Sequence, residues 1–202
     1  QGLHTGIISK LPANAIGELA RSKVRSMNVS DDYLVWDHTE DARLGAYFYE
    51  SATFPRKPQV VYDRKHSSIT RISIDEFPED MYKSTRCFHV SGITLALCPE
   101  ARTCAIEMIK RFKEAGALIS FDVNFRLNLW TGAEAKACIE QILPYVDIFF
   151  CSEETARLTF LKEGDAKRIM KSFTQEYPIS VVASTQRIVH SPKKHTFGSV
   201  IY

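Results

Sequence analysis

The sequence lacks the signatures of several large classes of protein. Its five cysteines form no C-x-x-C pair, and its six histidines are never spaced as H-x-x-x-H or H-E-x-x-H. These absences disfavour a disulfide framework and a protein-ligated metal, and they indicate thiols buried in a reducing compartment. The sequence also has no G-x-S-x-G turn, which disfavours a serine hydrolase.

Long apolar runs and charge of a single sign are missing as well. No run approaches the roughly eighteen apolar residues that span a bilayer, and no signal peptide is visible. The 26 basic and 24 acidic residues are interspersed and leave a formal net charge of +2, which argues against a nucleic-acid partner. We therefore expect a cytoplasmic protein that binds neither membranes nor nucleic acids.

Glycine-rich nucleotide signatures are absent too. The nine glycines form neither a Walker P-loop nor G-x-G-x-x-G, both of which need several glycines to lay backbone N–H groups around phosphates. What the chain does have is enough apolar sequence for a sizeable core, because 45% of its 202 residues are hydrophobic. This composition indicates one main domain.

Most of the chain after residue 75 alternates between strand and helix patterns. The strand patterns are apolar and β-branched, which is typical of a parallel sheet covered by helices on both faces. Nearer the start, a strand pattern at 6–10 precedes a helix pattern at 16–27, for which Asn14 is the expected cap. We expect the later strands at 87–90, 118–122, 146–151, 179–184 and 195–202, and helices at 99–115, 133–143, 153–161 and 165–177.

Between residues 43 and 74 the pattern changes from helical to period two. Three short strands are predicted at 45–50, 59–64 and 68–73, and with no helix between them they would form a small antiparallel flap. Its polar and aromatic side chains either face a ligand or coat a two-sided sheet, and both interpretations stay open. These side chains are Tyr47, Tyr49, Tyr62 and Arg64.

Polar side chains follow three of the predicted strands, where an open α/β sheet gathers its ligands. In the stretch after the second of these strands, alternate positions of an extended chain would project Asp122, Asn124 and Arg126 together. They supply an acceptor, an amide and a fork-shaped cation suited to a carboxylate or phosphate. The alternative is that Asp122 and Asn124 fix a turn while Arg126 forms a surface ion pair.

Four motifs together resemble the ribokinase-like carbohydrate kinases of the PfkB family, and within it the kinases that act on 2-keto-3-deoxygluconate. The resemblance implies an α/β fold, a ribokinase-like three-layer α/β/α sandwich with a mostly parallel sheet and a small antiparallel β lid. It also implies a discontinuous core of residues 1–41 and 75–202, a lid of residues 42–74, and a chain truncated at both ends. The motifs are Val61-Tyr-Asp-Arg64, His89-Val-Ser-Gly-Ile-Thr94, Phe121-Asp-Val-Asn-Phe-Arg-Leu-Asn-Leu-Trp130 and Cys151-Ser-Glu-Glu-Thr-Ala-Arg157.

The resemblance implies an activity and assigns residues to it. The expected reaction is phosphorylation of a sugar acid such as 2-keto-3-deoxygluconate at its primary hydroxyl, with ATP as donor and Mg²⁺ bridging the phosphates. Residues 184–187 are expected to follow the strand that approaches the nucleotide. The substrate residues implied are Tyr47, Tyr62, Arg64, Ile93 and Arg126. The nucleotide residues implied are Asn124, Ser152, Ser184, Thr185 and Arg187.

The sequence departs from the family pattern in three places. Thr155 stands at the position of the glutamate in the family's Asn-x-x-Glu signature, for which Glu153 or Glu154 would have to substitute. The N-terminal di-glycine motif is missing, and so is the Gly-Ala-Gly-Asp segment whose aspartate acts as base. We therefore expect that base beyond Tyr202, no catalytic residue within these 202 residues, and impaired or absent activity in the chain as it stands.

Two other functions stay open, and one assembly is expected. A fructokinase or another PfkB sugar or nucleoside kinase is disfavoured by Arg64 and Arg126, because neutral sugars need fewer cations. A catalytically inactive sugar-binding or regulatory homologue is the second alternative. The resemblance also implies a homodimer through the lid, since the edges of an exposed flap need covering.

Overall fold

The computed structural model describes residues 2–53, 55–191 and 194–202. It divides into two compact units, Gln1–Phe77 and Pro78–Tyr202. The division expected from the sequence, with a core of residues 1–41 and 75–202 and a lid of residues 42–74, stays a prediction.

The first unit begins with a short strand, a helix and a second strand that lies parallel to the first. The cap predicted for the helix is confirmed, because Asn14 Oδ1 accepts hydrogen bonds from Ile16 N at 3.0 Å and Gly17 N at 3.1 Å. The first strand begins later than the predicted residue 6, and the second strand was not predicted. The elements are β1 (Ser9–Pro12), α1 (Ala15–Ser26) and β2 (Leu34–Asp37).

The flap that follows has two strands, β3 (Ala46–Glu50) and β4 (Gln59–Asp63), which pair antiparallel and are exposed along their whole length. The third strand predicted at 68–73 is wrong, since Ser68–Arg71 forms a 3-10 helix and a second one follows at Ile74–Glu76. The buried backbone here is satisfied without a third strand: Ser68 N donates to the distant Arg43 carbonyl, and Thr70 N donates to the Ser67 carbonyl at 2.8 Å. A turn and one long-range bond therefore satisfy groups that a sheet ladder would otherwise have to satisfy.

Asp37, at the end of β2, is a buried charge of the first unit, with 3% of its surface exposed. It accepts hydrogen bonds from Thr39 Oγ1 at 2.7 Å and from Arg71 Nη1 at 2.9 Å, and Arg71 also pairs with Asp41. Burial by itself would raise the pKa of Asp37. The bonds from Thr39 and Arg71 outweigh it, so the pKa lies well below its ordinary value of 3.8.

The second unit is built on one five-stranded sheet. Its first four strands are parallel, and the last returns antiparallel beside the fourth. The strands predicted from the sequence are confirmed, but the fourth is much longer than the predicted 179–184. In sheet order they are β5 (Cys87–Ser91), β6 (Leu118–Asp122), β7 (Ile148–Phe150), β8 (Val181–Ser191) and β9 (Lys194–Ile201).

Six helices accompany this sheet. The predicted ends of the longest are confirmed, with Pro99 in its first turn and Gly116, at φ 89°, just past its end. The helix predicted at 133–143 ends at Ile139, and a 3-10 turn follows at Leu143–Tyr145, where Pro144 has no N–H to continue an α-helix. The helices are α2 (Glu79–Ser84), α3 (Gly92–Leu97), α4 (Pro99–Glu114), α5 (Gly132–Ile139), α6 (Glu153–Phe160) and α7 (Ala166–Glu176).

The apolar packing of the second unit joins one face of the sheet to the helices. Phe88 of β5 stacks on Phe112 of α4 with ring centroids 4.3 Å apart. Phe149 of β7 meets Phe173 of α7 edge to face at 4.9 Å. Alternate strand residues point to the opposite face, where Leu118 is 51% exposed.

The structure describes all five cysteines. Three of them, Cys104, Cys138 and Cys151, are buried as expected, whereas Cys98 is half-buried and Cys87 is exposed. The cytoplasmic location inferred from these thiols stays a prediction. Among the described residues, none of the helices combines the length and the apolar character needed to cross a membrane.

The Asp37 network predicts how the first unit responds to substitution and to acid. Asp37→Asn should lower the free energy of unfolding by about 2 kcal/mol at pH 7, because hydrogen bonds to a buried carboxylate are worth roughly 1.5–3 kcal/mol. Because the folded pKa is depressed, this stabilisation is present above the ordinary carboxyl pKa and is lost as the pH falls below it. Urea unfolding followed by Trp36 fluorescence, in a Trp130→Phe background, measures both effects.

Asp41→Asn is the matched control, since Asp41 shares the Arg71 partner but its side chain is 72% exposed. An exposed pair contributes at most about 1 kcal/mol, so this variant should unfold close to wild type. Equal losses in the two variants would contradict the assigned role of Asp37.

Candidate functional site

The four parallel strands of the second unit end side by side at one edge of the sheet. Ser91 lies opposite Asp122, Asp122 opposite Phe150, and Phe150 opposite Ala183. This row is the carboxyl edge, where open parallel sheets collect their ligands. The strand exits singled out in the sequence are therefore neighbours.

The first two exits are joined by a hydrogen bond. Asn124 Nδ2 donates to Ser91 Oγ at 3.1 Å, and Asn124 N donates to Asp122 Oδ1 at 3.0 Å. Asn124 has φ 38°, a left-handed conformation that asparagine tolerates better than most residues. The chain therefore turns after Asp122, and the prediction that Asp122, Asn124 and Arg126 share one face of an extended strand is wrong. The turn-forming role of Asp122, left open as the alternative, is present.

Arg126 lies exposed in the loop that follows this turn. Its Nη1 donates to the neighbouring Phe125 carbonyl at 3.1 Å, and its own carbonyl accepts the Leu129 N–H at 3.0 Å. Within the described part of the chain it forms no ion pair, so the surface ion pair considered for it is not found there. The guanidinium of Arg126 therefore has no carboxylate partner among the described residues.

Gly92, at the start of α3, lies very close to the residues that follow β6. A Cβ at this position would stand 2.1 Å from the Val123 carbonyl oxygen, a distance that only glycine permits. The next residue, Ile93, is half-buried, and its N–H donates to Ser91 Oγ at 3.4 Å. Ile93 therefore lies at the exit of β5, as the sequence predicted.

The end of β7 is followed by polar side chains that form hydrogen bonds with one another. Ser152 Oγ accepts from Thr155 N at 3.1 Å and donates to Thr155 Oγ1 at 2.8 Å, which caps α6. Glu153 pairs with Arg157, whereas Glu154 is exposed and has no ion pair within the described residues. Of the two acids considered as substitutes at this exit, Glu154 is the one left without a cationic partner there.

Cys151 stands just before this exit and is buried. Burial raises the pKa of its thiol, and the charge of Asp122 raises that pKa further. The group therefore stays a neutral thiol at physiological pH. This state makes it a packing residue, not a nucleophile.

The fourth group of predicted residues lies inside β8, so the prediction that residues 184–187 follow the strand is wrong. The reason is that β9 pairs with β8 beyond the carboxyl edge. Ser184 is 2% exposed, and its Oγ has no partner among the described residues. Thr185 is exposed, and Arg187 Nε donates to His195 Nδ1 at 3.2 Å.

In the first unit, the three predicted lid residues lie together. Tyr47 and Tyr62 are cross-strand partners with ring centroids 6.3 Å apart, and the Arg64 guanidinium lies 4.0 Å from the centroid of the Tyr62 ring. Arg64 forms no ion pair with any described residue. Strand alternation places Phe48 and Val61 on the opposite face of the flap.

Across the stretches the structure describes, no three His, Cys, Asp or Glu side chains cluster in a way that could hold a metal ion. One site contact was missed by sequence reasoning, namely the bond between Ser91 and Asn124. The Ser-Gly pair at a strand-to-helix junction marked Ser91 as polar. Its partner lies 33 residues away, and no local pattern predicts that pairing.

Comparison with known proteins gives consistent matches over the chain. A family model described as pfkB family carbohydrate kinase matches residues 1–186. The chain is 31% identical over 201 residues to the 2-dehydro-3-deoxygalactonokinase of Haloferax volcanii, covering 100% of this chain and 62% of that protein. It is 33% identical over 168 residues to the probable fructokinase-5 of Arabidopsis thaliana, covering 83% and 50%. Among solved structures, the 2-dehydro-3-deoxygluconokinase of Thermotoga maritima gives a TM-score of 0.92 at 30% identity, covering 100% and 63%.

The contact between Gly92 and Val123 predicts a sharp response to one added methyl group. Gly92→Ala should lower the free energy of unfolding of the second unit by about 1–3 kcal/mol, because the two exits must move apart. Gly198→Ala is the control, since a Cβ there meets no atom within 4 Å. Urea unfolding followed by Trp130 fluorescence, in a Trp36→Phe background, compares the two. Equal stability of both variants would show that the close approach does not exist in solution.

Proposed function

Because the chain belongs to the pfkB family of carbohydrate kinases, we propose that the whole protein phosphorylates a 2-keto-3-deoxy sugar acid at its primary hydroxyl, with ATP as donor. These acids are also named 2-dehydro-3-deoxy acids. Two proteins named as kinases of such acids match the chain over its full length. The chain spans 62% of the Haloferax relative, so the activity is proposed for the whole protein.

One observation carries the choice of an acid as substrate. Arg64 and Arg126 have no carboxylate partner among the described residues, although each belongs to a motif of the family resemblance. A guanidinium binds a carboxylate through two parallel hydrogen bonds, which a neutral sugar cannot supply. We assign a carboxylate-binding role to each of these side chains.

The other residues proposed to bind the substrate supply aromatic, hydroxyl and apolar groups. Tyr47 and Tyr62 present aromatic rings and hydroxyls on the face of the flap that carries Arg64. Ile93 is half-buried at the exit of β5 and would give a ligand an apolar contact. These roles fit a small anionic sugar derivative.

The groups at the carboxyl edge fit a phosphorylated ligand. Ser184 places a buried hydroxyl without a partner in the described chain on β8, and an unsatisfied buried polar group costs about 1–3 kcal/mol. Bound ATP would supply the phosphoryl group, while Asn124, Ser152 and Thr185 would orient it and Arg187 would contribute positive charge. Mg²⁺ would be held mainly by the phosphates, and no catalytic base is assigned within these residues.

A second candidate function is phosphorylation of a neutral sugar such as fructose. The 33% identity to the Arabidopsis probable fructokinase-5 supports it. It would leave the guanidinium groups of Arg64 and Arg126 without a role in binding. The acid therefore accounts for more of the site than fructose does.

The choice between these substrates predicts a selective effect of one substitution. In the whole protein, Arg126→Met should raise KM for 2-keto-3-deoxygluconate and its galactonate epimer by about 10–100-fold, because one charge-assisted bond pair is lost. Any KM for fructose should change less than about twofold. Arg168→Met is the control, since Arg168 is an exposed arginine of α7 without an ion pair in the described chain, and it should leave both constants unchanged.

The measurement is ADP release coupled to a spectrophotometric signal. Turnover with fructose alone would replace the proposed function by the second candidate. Binding of the acid without turnover would favour an inactive binding protein, and absence of both would reject the class. Equal effects of Arg126→Met on acidic and neutral substrates would remove the assigned role of Arg126.

We also propose that the flap pairs between two copies of the chain through the face that carries Phe48 and Val61. Phe48 is 65% exposed and Val61 is 52% exposed, and a two-stranded ribbon is marginal unless its apolar side chains and edges are covered. Light scattering at micromolar concentration should show a dimer for the wild type and a monomer for Phe48→Lys. A monomeric wild type would contradict the pairing.

A further inference from the structure

Arg43 lies just before the flap and binds the chain where the flap ends. Its Nη1 donates to the Lys65 carbonyl at 2.6 Å. Its Nη2 donates to the Asp63 carbonyl at 3.3 Å and to the Asp63 carboxylate at 2.5 Å. Asp63 and Lys65 are the two neighbours of Arg64, so one guanidinium holds the backbone on both sides of Arg64.

Two buried serines complete this set of contacts. The carbonyl of Arg64 accepts a hydrogen bond from Ser67 Oγ at 2.7 Å. The carbonyl of Arg43 accepts one from Ser68 N at 2.9 Å and another from Ser68 Oγ at 3.2 Å. Both serines are 1% exposed. We call this set the Arg43 clamp; it consists of Arg43, Asp63, Lys65, Ser67 and Ser68.

The clamp is needed because Arg64 lies outside regular structure. β4 ends at Asp63, and the turn that follows contains His66 at φ 57°, a conformation that costs energy in a residue other than glycine. No sheet ladder therefore fixes the backbone of Arg64. The bonds from Arg43 and Ser67 do so instead.

The side chain of Arg64 takes no part in the clamp. Its guanidinium lies over the Tyr62 ring at 4.0 Å and has no carboxylate partner among the described residues. The backbone of Arg64 is already fixed and its guanidinium has no carboxylate partner among the described residues. Binding a ligand through this guanidinium would therefore not carry the entropy cost of ordering the loop.

Arg56, which lies between the two strands of the flap, shows that this arrangement is not a general property of the ribbon. Arg56 pairs with the Glu50 side chain near the connection between the two strands. Both side chains of that pair are largely exposed, at 65% and 57%. Arg56 therefore matches Arg43 in charge and in having a carboxylate partner, but it does not bind the carbonyls beside Arg64.

We propose that Arg43 is a positioning residue for Arg64, and that the clamp sets where the Arg64 guanidinium meets the carboxylate of the substrate. The part of this inference that concerns the substrate rests on the proposed function. The part that concerns the backbone rests on the contacts of the first unit. Lysine cannot replace Arg43 fully, because a single ammonium group does not span two carbonyls and a carboxylate in one plane.

The first measurement follows the clamp itself. In the whole protein, Arg43→Met should speed amide hydrogen exchange of peptides covering residues 64–70 by about tenfold or more, because the loop loses the side-chain bonds to the Asp63 and Lys65 carbonyls and opens more often. Arg56→Met should leave these peptides unchanged, and Arg43→Lys should fall between the two. Thermal unfolding followed by circular dichroism confirms that each variant is folded. Unchanged exchange in a folded Arg43→Met protein overturns the proposal.

The second measurement follows binding by isothermal titration calorimetry with 2-keto-3-deoxygluconate and, separately, fructose. Arg43→Met should raise the Kd for the acid by about tenfold and leave fructose unaffected, with partial recovery in Arg43→Lys. The double variant Arg43→Met/Arg64→Met should bind the acid no more weakly than Arg64→Met alone, because both changes remove the same contact.

The outcomes separate this inference from the proposed function. If Arg64→Met weakens acid binding but Arg43→Met does not, or if the two effects add, the clamp has no positioning role and the proposed function stands. If Arg64→Met leaves acid binding intact, the assignment of Arg64 to the substrate fails, and the positioning role fails with it.

Discussion

The register of four parallel strands is the constraint on which the candidate site of the second unit depends. It places the ends of β5, β6, β7 and β8 in one row. Within that row the first two ends approach so closely that Gly92 has no room for a side chain beside the Val123 carbonyl. The hydrogen bond between Ser91 and Asn124 follows from this approach. The polar groups at the edge are therefore positioned by backbone geometry more than by contacts among themselves.

Each of the two units carries an arginine without a carboxylate partner among the described residues. Most charged side chains of the flap and its base are paired, as Arg43 is with Asp63 and Arg56 is with Glu50. Arg64 stands beside these pairs without a carboxylate, and Arg126 of the second unit likewise has none among the described residues. In the proposed function, an anionic substrate would supply a carboxylate for such an arginine.

Local patterns predicted most of the fold, and distant contacts account for what they missed. Proline and glycine at the two ends of α4 and the cap at Asn14 are local signals, and each was confirmed. The extra length of β8 depends on pairing with β9, and the 3-10 helix at Ser68–Arg71 depends on the distant Arg43 carbonyl. At the site, the residue types after each strand were recognisable from the sequence. The turn at Asn124 was not, because it requires a left-handed backbone that the strand pattern does not predict.

The account is tested most directly by a crystal structure of the whole protein with 2-keto-3-deoxygluconate bound. The proposed function predicts that an oxygen of the substrate carboxylate lies within about 3 Å of a guanidinium nitrogen of Arg126. It also predicts that the primary hydroxyl lies toward the carboxyl edge that carries Asn124. A bound acid whose carboxylate does not contact the Arg126 guanidinium would contradict it.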